Sequence, residues 1–378
     1  MSDLIRIQIY ARLLGGSKQS QDMQSERKTT LATKVPLEDG ERIRQLIRAA
    51  GGADPTFAPS VEGEYLLIPI SAPEKLQESP ELNSLELVRR ELRTRVRRPR
   101  NVREALSKEL GPSVASKVRR SFDVIGDIAV VAPDEVASLH KQLLVKSILA
   151  VHPNVRLILA KVSPIAGRER VASYERWYGT GPTETTYKEH GCVYSLDVTK
   201  VFFTPRLSTE RRRVASLVGP NETVGDLFAG VGPFSILIAK LQPKSNAKAC
   251  DISPEAVSYL RRNIRLNGVS DRVRAYLGDA DRISREQLSG LCDRVIMNLP
   301  KEAELHLPAA TRSLKPSGGV IHLYLFRKES QTIDERIQTV TAELKSLGWV
   351  QVKVLYTRQA REVGPRETND VIDLVVSP

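Results

Sequence analysis

The stretch "DLFAGVGPFSI", residues 226 to 236, sets an acid, two glycines and an apolar run at what reads as a strand-to-helix turn. Such turns bring backbone N–H groups and a helix N-terminus up to a ligand. A dinucleotide fingerprint would carry a third glycine after Gly230 and Gly232, but Pro233, Phe234 and Ser235 follow instead. That third glycine is what permits close helix–strand packing. A phosphate-binding loop would need Gly-Lys-Ser or Gly-Lys-Thr, which the chain lacks. What it has is Asp226, Asp251 and Asp279, each closing one of three successive predicted strands. S-adenosylmethionine suits that pattern. It carries no phosphate, and its ammonium, ribose hydroxyls and adenine amino group each want an acceptor at a strand end. The plain alternative is that Asp251 and Asp279 only cap turns, as "DISPEA" allows.

A fourth predicted strand ends in "NLP", Asn298 to Pro300, followed by Lys301. Enzymes that methylate exocyclic amino groups often place an aromatic there to stack on a flipped base. Its absence leaves room for a ring nitrogen as the acceptor. By itself Asn298 is equally a turn residue before proline. A further stretch, "VFFTPRLSTERRRV" at residues 201 to 214, puts Glu210 beside three arginines.

Together, "YKEHGCVYSLDVTK", "TPRLSTER", "DLFAGVGPFSI" and "NLP", in that order, resemble the tRNA guanine-N1 methyltransferase family of archaea and eukaryotes. The resemblance runs over roughly residues 90 to 378. It implies methyl transfer from S-adenosylmethionine to guanine at tRNA position 37, next to the anticodon. Guanine N1 carries a proton and is a poor nucleophile until it leaves, so a general base is needed within hydrogen-bond reach. Glu210 matches the family's glutamate in that role, in a setting expected to be partly desolvated. Arg170 in "GRERVASYE" matches the arginine that would face the charge growing on O6, and Asn298 would hold the guanine edge. The cofactor's surroundings are expected to be Asp226, Phe228, Ala229, Gly230, Gly232, Asp251, Ile252, Gly278, Asp279, Asn298 and Pro300, with Phe202 and Arg206 from the upstream stretch. Phe202 departs from the phenol that the family often has there, which removes a hydroxyl. No metal is required, because the sulfonium already activates the methyl group. A wyosine-pathway relative would use the same turn, either to methylate the tricyclic precursor at position 37 or to transfer the aminocarboxypropyl group. A nicotinamide dehydrogenase is disfavoured by the missing glycine.

Positioning these residues calls for several elements. From about residue 196, strands and helices alternate, which predicts a doubly wound, Rossmann-like α/β domain of mostly parallel strands. "VQVKVLYT" and "DVIDLVV" read as an antiparallel edge hairpin. Smaller α+β units precede it. Boundaries are expected at residues 1–75, 85–195 and 196–378, with a polar linker near residues 72 to 84. The first unit, opening on a strand "LIRIQIYA", looks like the small extra domain that some archaeal members use on the outer corner of tRNA. Eight arginines lie between Arg89 and Arg103 with only Glu91 among them. They and the basic helix from Arg211 are expected to meet phosphates, giving a salt-dependent affinity. The net charge of +12 agrees with an acidic partner. Cys192, Cys250 and Cys292 show no CxxC spacing and the five histidines no metal spacing, so neither disulfides nor a metal site are expected. With no apolar run of about 18 residues and no secretory pattern at the start, a cytoplasmic, soluble protein is expected. Three domains could grip one tRNA as a monomer.

Overall fold

The computed structural model describes residues 26–95, 99–118, 122–163, 172–364 and 367–378. The chain divides into two compact units, Met1–Ala105 and Leu106–Pro378. The expected strand "LIRIQIYA" lies outside the described residues.

The first unit contains β1 (Arg27–Pro36), α1 (Gly40–Ala49), β2 (Ser60–Glu62), β3 (Tyr65–Pro69), a short helix α2 (Glu74–Gln77) and β4 (Leu87–Arg93). Its antiparallel sheet runs β2-β3-β1-β4. Apolar residues of α1 and the sheet, among them Ile43, Ile47, Leu66 and Ile68, form its core. Two expectations need correcting here. The stretch at 72–84 is no linker: Leu76 and Leu82 are buried in that core, and each side chain so buried stabilises by about 1.5–3 kcal/mol. Their polar neighbours mask them in a composition count. The arginine-rich stretch begins as strand β4, hydrogen-bonded along β1, so the first unit runs past residue 75 to Ala105.

Helix α3 (Val102–Lys117), two helical segments broken at Gly111, where φ is 76°, begins at the end of the first unit and continues into the second. A four-stranded sheet follows: β5 (Phe122–Ile125), β6 (Ile128–Val131), β7 (Leu157–Lys161) and β8 (Tyr174–Tyr178). The parallel pair β6 and β7 is connected by two helices, α4 (Glu135–Leu139) and α5 (Lys141–Val151), parted at His140.

A hairpin, β9 (Glu184–Glu189) and β10 (Cys192–Asp197), leads to α6 (Ser208–Leu217) and then the large sheet. That sheet comprises β11 (Thr223–Asp226), β12 (Asn246–Asp251), β13 (Val273–Leu277), β14 (Arg294–Met297), β15 (Gly319–Lys328), β16 (Gln351–Gly364) and β17 (Glu367–Ser377). Its order is β13-β12-β11-β14-β15-β17-β16. Only β17 runs against its neighbours, so the expected edge hairpin is present. Helices α7 (Pro233–Leu241), α8 (Pro254–Leu266), α9 (Ala280–Ile283), α10 (Leu307–Ser313) and α11 (Ile333–Ser346) connect the strands. The strand order reverses between β11 and β14, which opens a crevice at their carboxyl ends. Asp226 ends β11 and Asn298 follows β14 at that point.

The expected boundary at residue 196 falls inside the second unit, where Tyr194 and Leu196 of the hairpin share a core with Phe234 and Leu260 of the large domain and with Ile128 and Leu157 of the middle sheet. Two asparagines one turn apart on α8 take the place of a neighbouring strand. Asn263 accepts from Ser195 N (2.8 Å) and donates to Ser195 O (3.1 Å). Asn267 does the same with Val193 (2.9 and 2.7 Å). Among the described residues, no helix is long and apolar enough to cross a membrane, and no cluster of acidic, His or Cys side chains could hold a metal ion.

Candidate active site

The crevice is built by three loops stitched together through Asp251. Its Oδ2 accepts from Gly230 N at 2.7 Å and its Oδ1 from Ser253 N at 3.0 Å. Its carbonyl takes Gly278 N at 3.0 Å, and Ala229 N reaches Cys250 O at 2.9 Å. Asp279 caps α9 through Asp281 N at 2.9 Å. Both acids therefore do the capping that sequence allowed. Ile252 and Gly278 lie half-buried beside them.

Asp226 is fully buried. Ser235 Oγ donates to its Oδ2 at 2.6 Å, while Oδ1 has no hydrogen-bond partner. Burial pushes its carboxyl up to about 7; Ser235 opposes this and the nearby Asp251 charge adds to it. An orphaned buried acceptor at a strand end suits a cationic ligand group. Gly230 and Gly232 both have positive φ, 56° and 91°. They are needed for different reasons. A Cβ on Gly232 would lie 2.4 Å from Leu260 Cδ1 on α8, whereas one on Gly230 would meet nothing closer than Phe202 O at 3.8 Å. Gly232 thus serves helix packing, and the Phe202 carbonyl lies beside the Gly230 turn. The Phe228 ring packs edge-on to His306 at 5.1 Å. Asn298 is half-buried, and buried Pro300 offers its carbonyl to Phe326 N at 3.0 Å.

Glu210, in the first turn of α6, is 5 % exposed, so the expected desolvation is present. It is also strongly held. Arg213 Nε lies 3.0 Å from both of its oxygens and Arg213 Nη2 2.6 Å from Oε1. The Tyr324 hydroxyl donates to Oε1 at 2.9 Å. Tyr324 in turn packs on Phe234, 5.7 Å between ring centres, in the first turn of α7. The base candidate is thereby one side chain from the helix that the crevice turn begins. Sequence reading missed Arg213 and Tyr324 as its partners; the alternation in "GGVIHLYLF" marks a strand but not what the phenol touches.

Two other expectations are redirected. Arg211 does not face solvent or phosphate. It is 2 % exposed, pairs with Glu189 at 2.6 and 2.7 Å, and donates to Thr204 O at 3.2 Å. Arg206 is given a partner on the middle sheet, donating to Asp123 on β5 at 2.6 Å. Arg170 lies outside the described residues. The Glu189–Arg211 pair shows why "KEHG" and "TPRLSTER" occur together. The tight β9–β10 turn uses His190 (φ 47°) and Gly191 (φ 77°), and His190 Nε2 meets Ser208 Oγ at 2.9 Å. The first motif is the seat on which the helix carrying Glu210 rests.

This arrangement agrees with three matches to family models: the TRM5/TYW2 methyltransferase domain over residues 185–354, the TYW2 N-terminal domain over 102–183, and the tRNA methyltransferase 5 N-terminal domain over 32–75. The tRNA (guanine(37)-N(1))-methyltransferase Trm5b of Pyrococcus abyssi is 40% identical over 92% of this chain and 99% of its own length. The tRNA(Phe) (4-demethylwyosine(37)-C(7)) aminocarboxypropyltransferase of Pyrococcus horikoshii is 31% identical over 75% of this chain and 99% of its own. Among solved structures, the complex of aTrm5 and tRNALeu matches with a TM-score of 0.72 at 29% identity, covering 92% of this chain and all of that one. The chain belongs to the archaeal- and eukaryotic-type tRNA (guanine-N1)-methyltransferase family.

Proposed function

We propose that this chain transfers a methyl group from S-adenosylmethionine to N1 of guanine at position 37 of tRNA, with Glu210 as general base. The observation that carries the reading is a buried, oriented carboxylate beside a crevice whose acids suit this cofactor. When bound, S-adenosylmethionine supplies a methyl carbon made electrophilic by the sulfonium. Asp226 would face its ammonium, Asp251 its ribose hydroxyls and Asp279 its adenine amino group, with Phe202 and Phe228 against its sides. Position 37 lies in a stacked loop, so the base enters the pocket flipped. Asn298 orients the guanine edge. Glu210 takes the N1 proton as N1 takes the methyl group. Arg170 is the expected cation for the charge that grows on O6.

The higher identity to Trm5b, over a larger share of this chain, favours this reading over aminocarboxypropyl transfer. The first unit is assigned to the outer corner of tRNA and the middle sheet to the anticodon stem and loop, with one cytoplasmic monomer per tRNA. The test is incubation with methyl-labelled S-adenosylmethionine and an unmodified transcript bearing guanine 37, followed by nucleoside mass spectrometry, with Glu210→Gln as control. N1-methylguanosine that falls sharply in the control is expected. Absence of that product, from a chain that binds cofactor and tRNA, refutes the reading. A parallel arm with a wyosine-precursor tRNA reports methyl or aminocarboxypropyl addition.

A further inference from the structure

The two oxygens of Glu210 are not equivalent. Oε1 receives Arg213 Nη2, Arg213 Nε and the Tyr324 hydroxyl at 2.6, 3.0 and 2.9 Å. Among the described residues, Oε2 receives only a share of Arg213 Nε, at 3.0 Å. An ionised carboxylate oxygen offers about two lone-pair sites, so Oε1 is filled and Oε2 keeps room for one more proton. The clamp itself is anchored. Arg213 Nη1 and Nη2 donate to Asp373 at 2.6 and 3.2 Å, and the guanidinium lies 4.3 Å from the centre of the Tyr356 ring. Asp373 Oδ1 is 2.7 Å from His322 Nδ1, and His322 Nε2 is 3.2 Å from Arg294 Nη1. Arginine only donates, so Nε2 is the acceptor. The ring proton therefore sits on Nδ1 and goes to Asp373. Arg294 is balanced by Glu222 at 2.8 Å. His322 stands opposite Asp373 in the β15–β17 register, and Tyr324 lies two residues further along the same face. Tyr324 and His322 are fully buried and Asp373 nearly so.

We infer that Tyr324 and Arg213, the latter anchored by Asp373 and His322, are positioning residues that hold the Glu210 carboxylate so that Oε2 alone receives the guanine N1 proton. The inference rests on Glu210 being the base. Burial and the Glu210 charge keep the Tyr324 phenol far above its ordinary pKa, so it remains a donor at every working pH. Neither side chain needs to touch the RNA.

The test is the single-turnover methyl-transfer rate at saturating tRNA and cofactor for the full chain, Tyr324→Phe, Glu210→Gln and the double variant. Tyr324→Phe removes one oxygen and is expected to slow the step roughly tenfold, the scale of a hydrogen bond to a charged group, with tRNA and cofactor affinities unchanged. Glu210→Gln is expected to slow it more, and Tyr324→Phe to add nothing to it, because both act through one carboxylate. Arg213→Lys keeps the charge but loses the fork, and is expected to slow the same step with affinities retained. A Tyr324→Phe enzyme of unchanged rate, or a loss that multiplies with that of Glu210→Gln, overturns the inference while leaving the base reading intact. A Glu210→Gln enzyme of full rate removes the base reading itself.

Discussion

The two glycines of the crevice turn should separate cleanly when each is replaced by alanine. Both sit at positive φ, 56° for Gly230 and 91° for Gly232, and an L-residue there costs about 1–2 kcal/mol. Both replacements also reduce the freedom of the unfolded chain by a similar amount, about 0.4–1 kcal/mol. To first order these contributions cancel between the variants. What remains is the new methyl group. At Gly230 it meets only Phe202 O at 3.8 Å, an ordinary contact. At Gly232 it lies 2.4 Å from Leu260 Cδ1 and 3.0 Å from Ile236 Cδ1. Both neighbours are fully buried in one core cluster, so neither can swing aside. Overpacking of that kind costs about 1–3 kcal/mol, and that is the expected difference between the variants. For a domain of this size it corresponds to roughly 2–4 °C in Tm per kcal/mol. Differential scanning calorimetry of the two variants without cofactor, at one scan rate, measures it. Gly230→Ala should lose cofactor affinity out of proportion to its small loss of stability, since its methyl group faces the crevice. A Gly230→Ala protein that melts at or below Gly232→Ala would refute the packing argument.

Other consequences are as direct. Arg211→Met should cost about 3–5 kcal/mol by leaving Glu189 buried without its cation; the double variant with Glu189→Leu should recover much of it, as read by Tm. Asp226 has its carboxyl raised to about 7 in the folded chain against 3.8 unfolded. The folded state therefore binds the extra proton between those values, and stability from this group is full below about 3.8 and lost as pH rises through about 7. Thermal melts of the cofactor-free chain should show Asp226→Asn gaining on the natural protein across that window and running parallel outside it; a constant gap would contradict the assignment. Reversing Arg89 and Arg93, both exposed on β4, to glutamate should weaken tRNA binding. It should also flatten the log affinity against log salt slope by about 0.7–0.9 per lost phosphate contact, checked by filter binding at several salt concentrations.

Sequence alone determined the class of the large domain and the location of its crevice. Strand and helix periodicities are carried by neighbours along the chain, and "DLFAGVGPFSI", Asp251 and Asp279 each mark the end of a strand locally. The order of the motifs pointed to the family for the same reason. Elements whose evidence is not local were misread. Polar neighbours hid Leu76 and Leu82, an arginine-rich stretch concealed strand β4, and the β9–β10 hairpin joins the large domain through a shared core and through Asn263 and Asn267, which meet its backbone. The chemistry of Glu210 was likewise half legible. Its identity came from a motif, but its partner Tyr324 lies 114 residues away, and Asp373, which anchors Arg213, lies 160 residues from that arginine. Contacts at that separation leave no period or spacing to read. They exist because the β15–β17 register turns His322, Tyr324 and Asp373 toward α6, and only the closed sheet decides which carboxylate oxygen is left open.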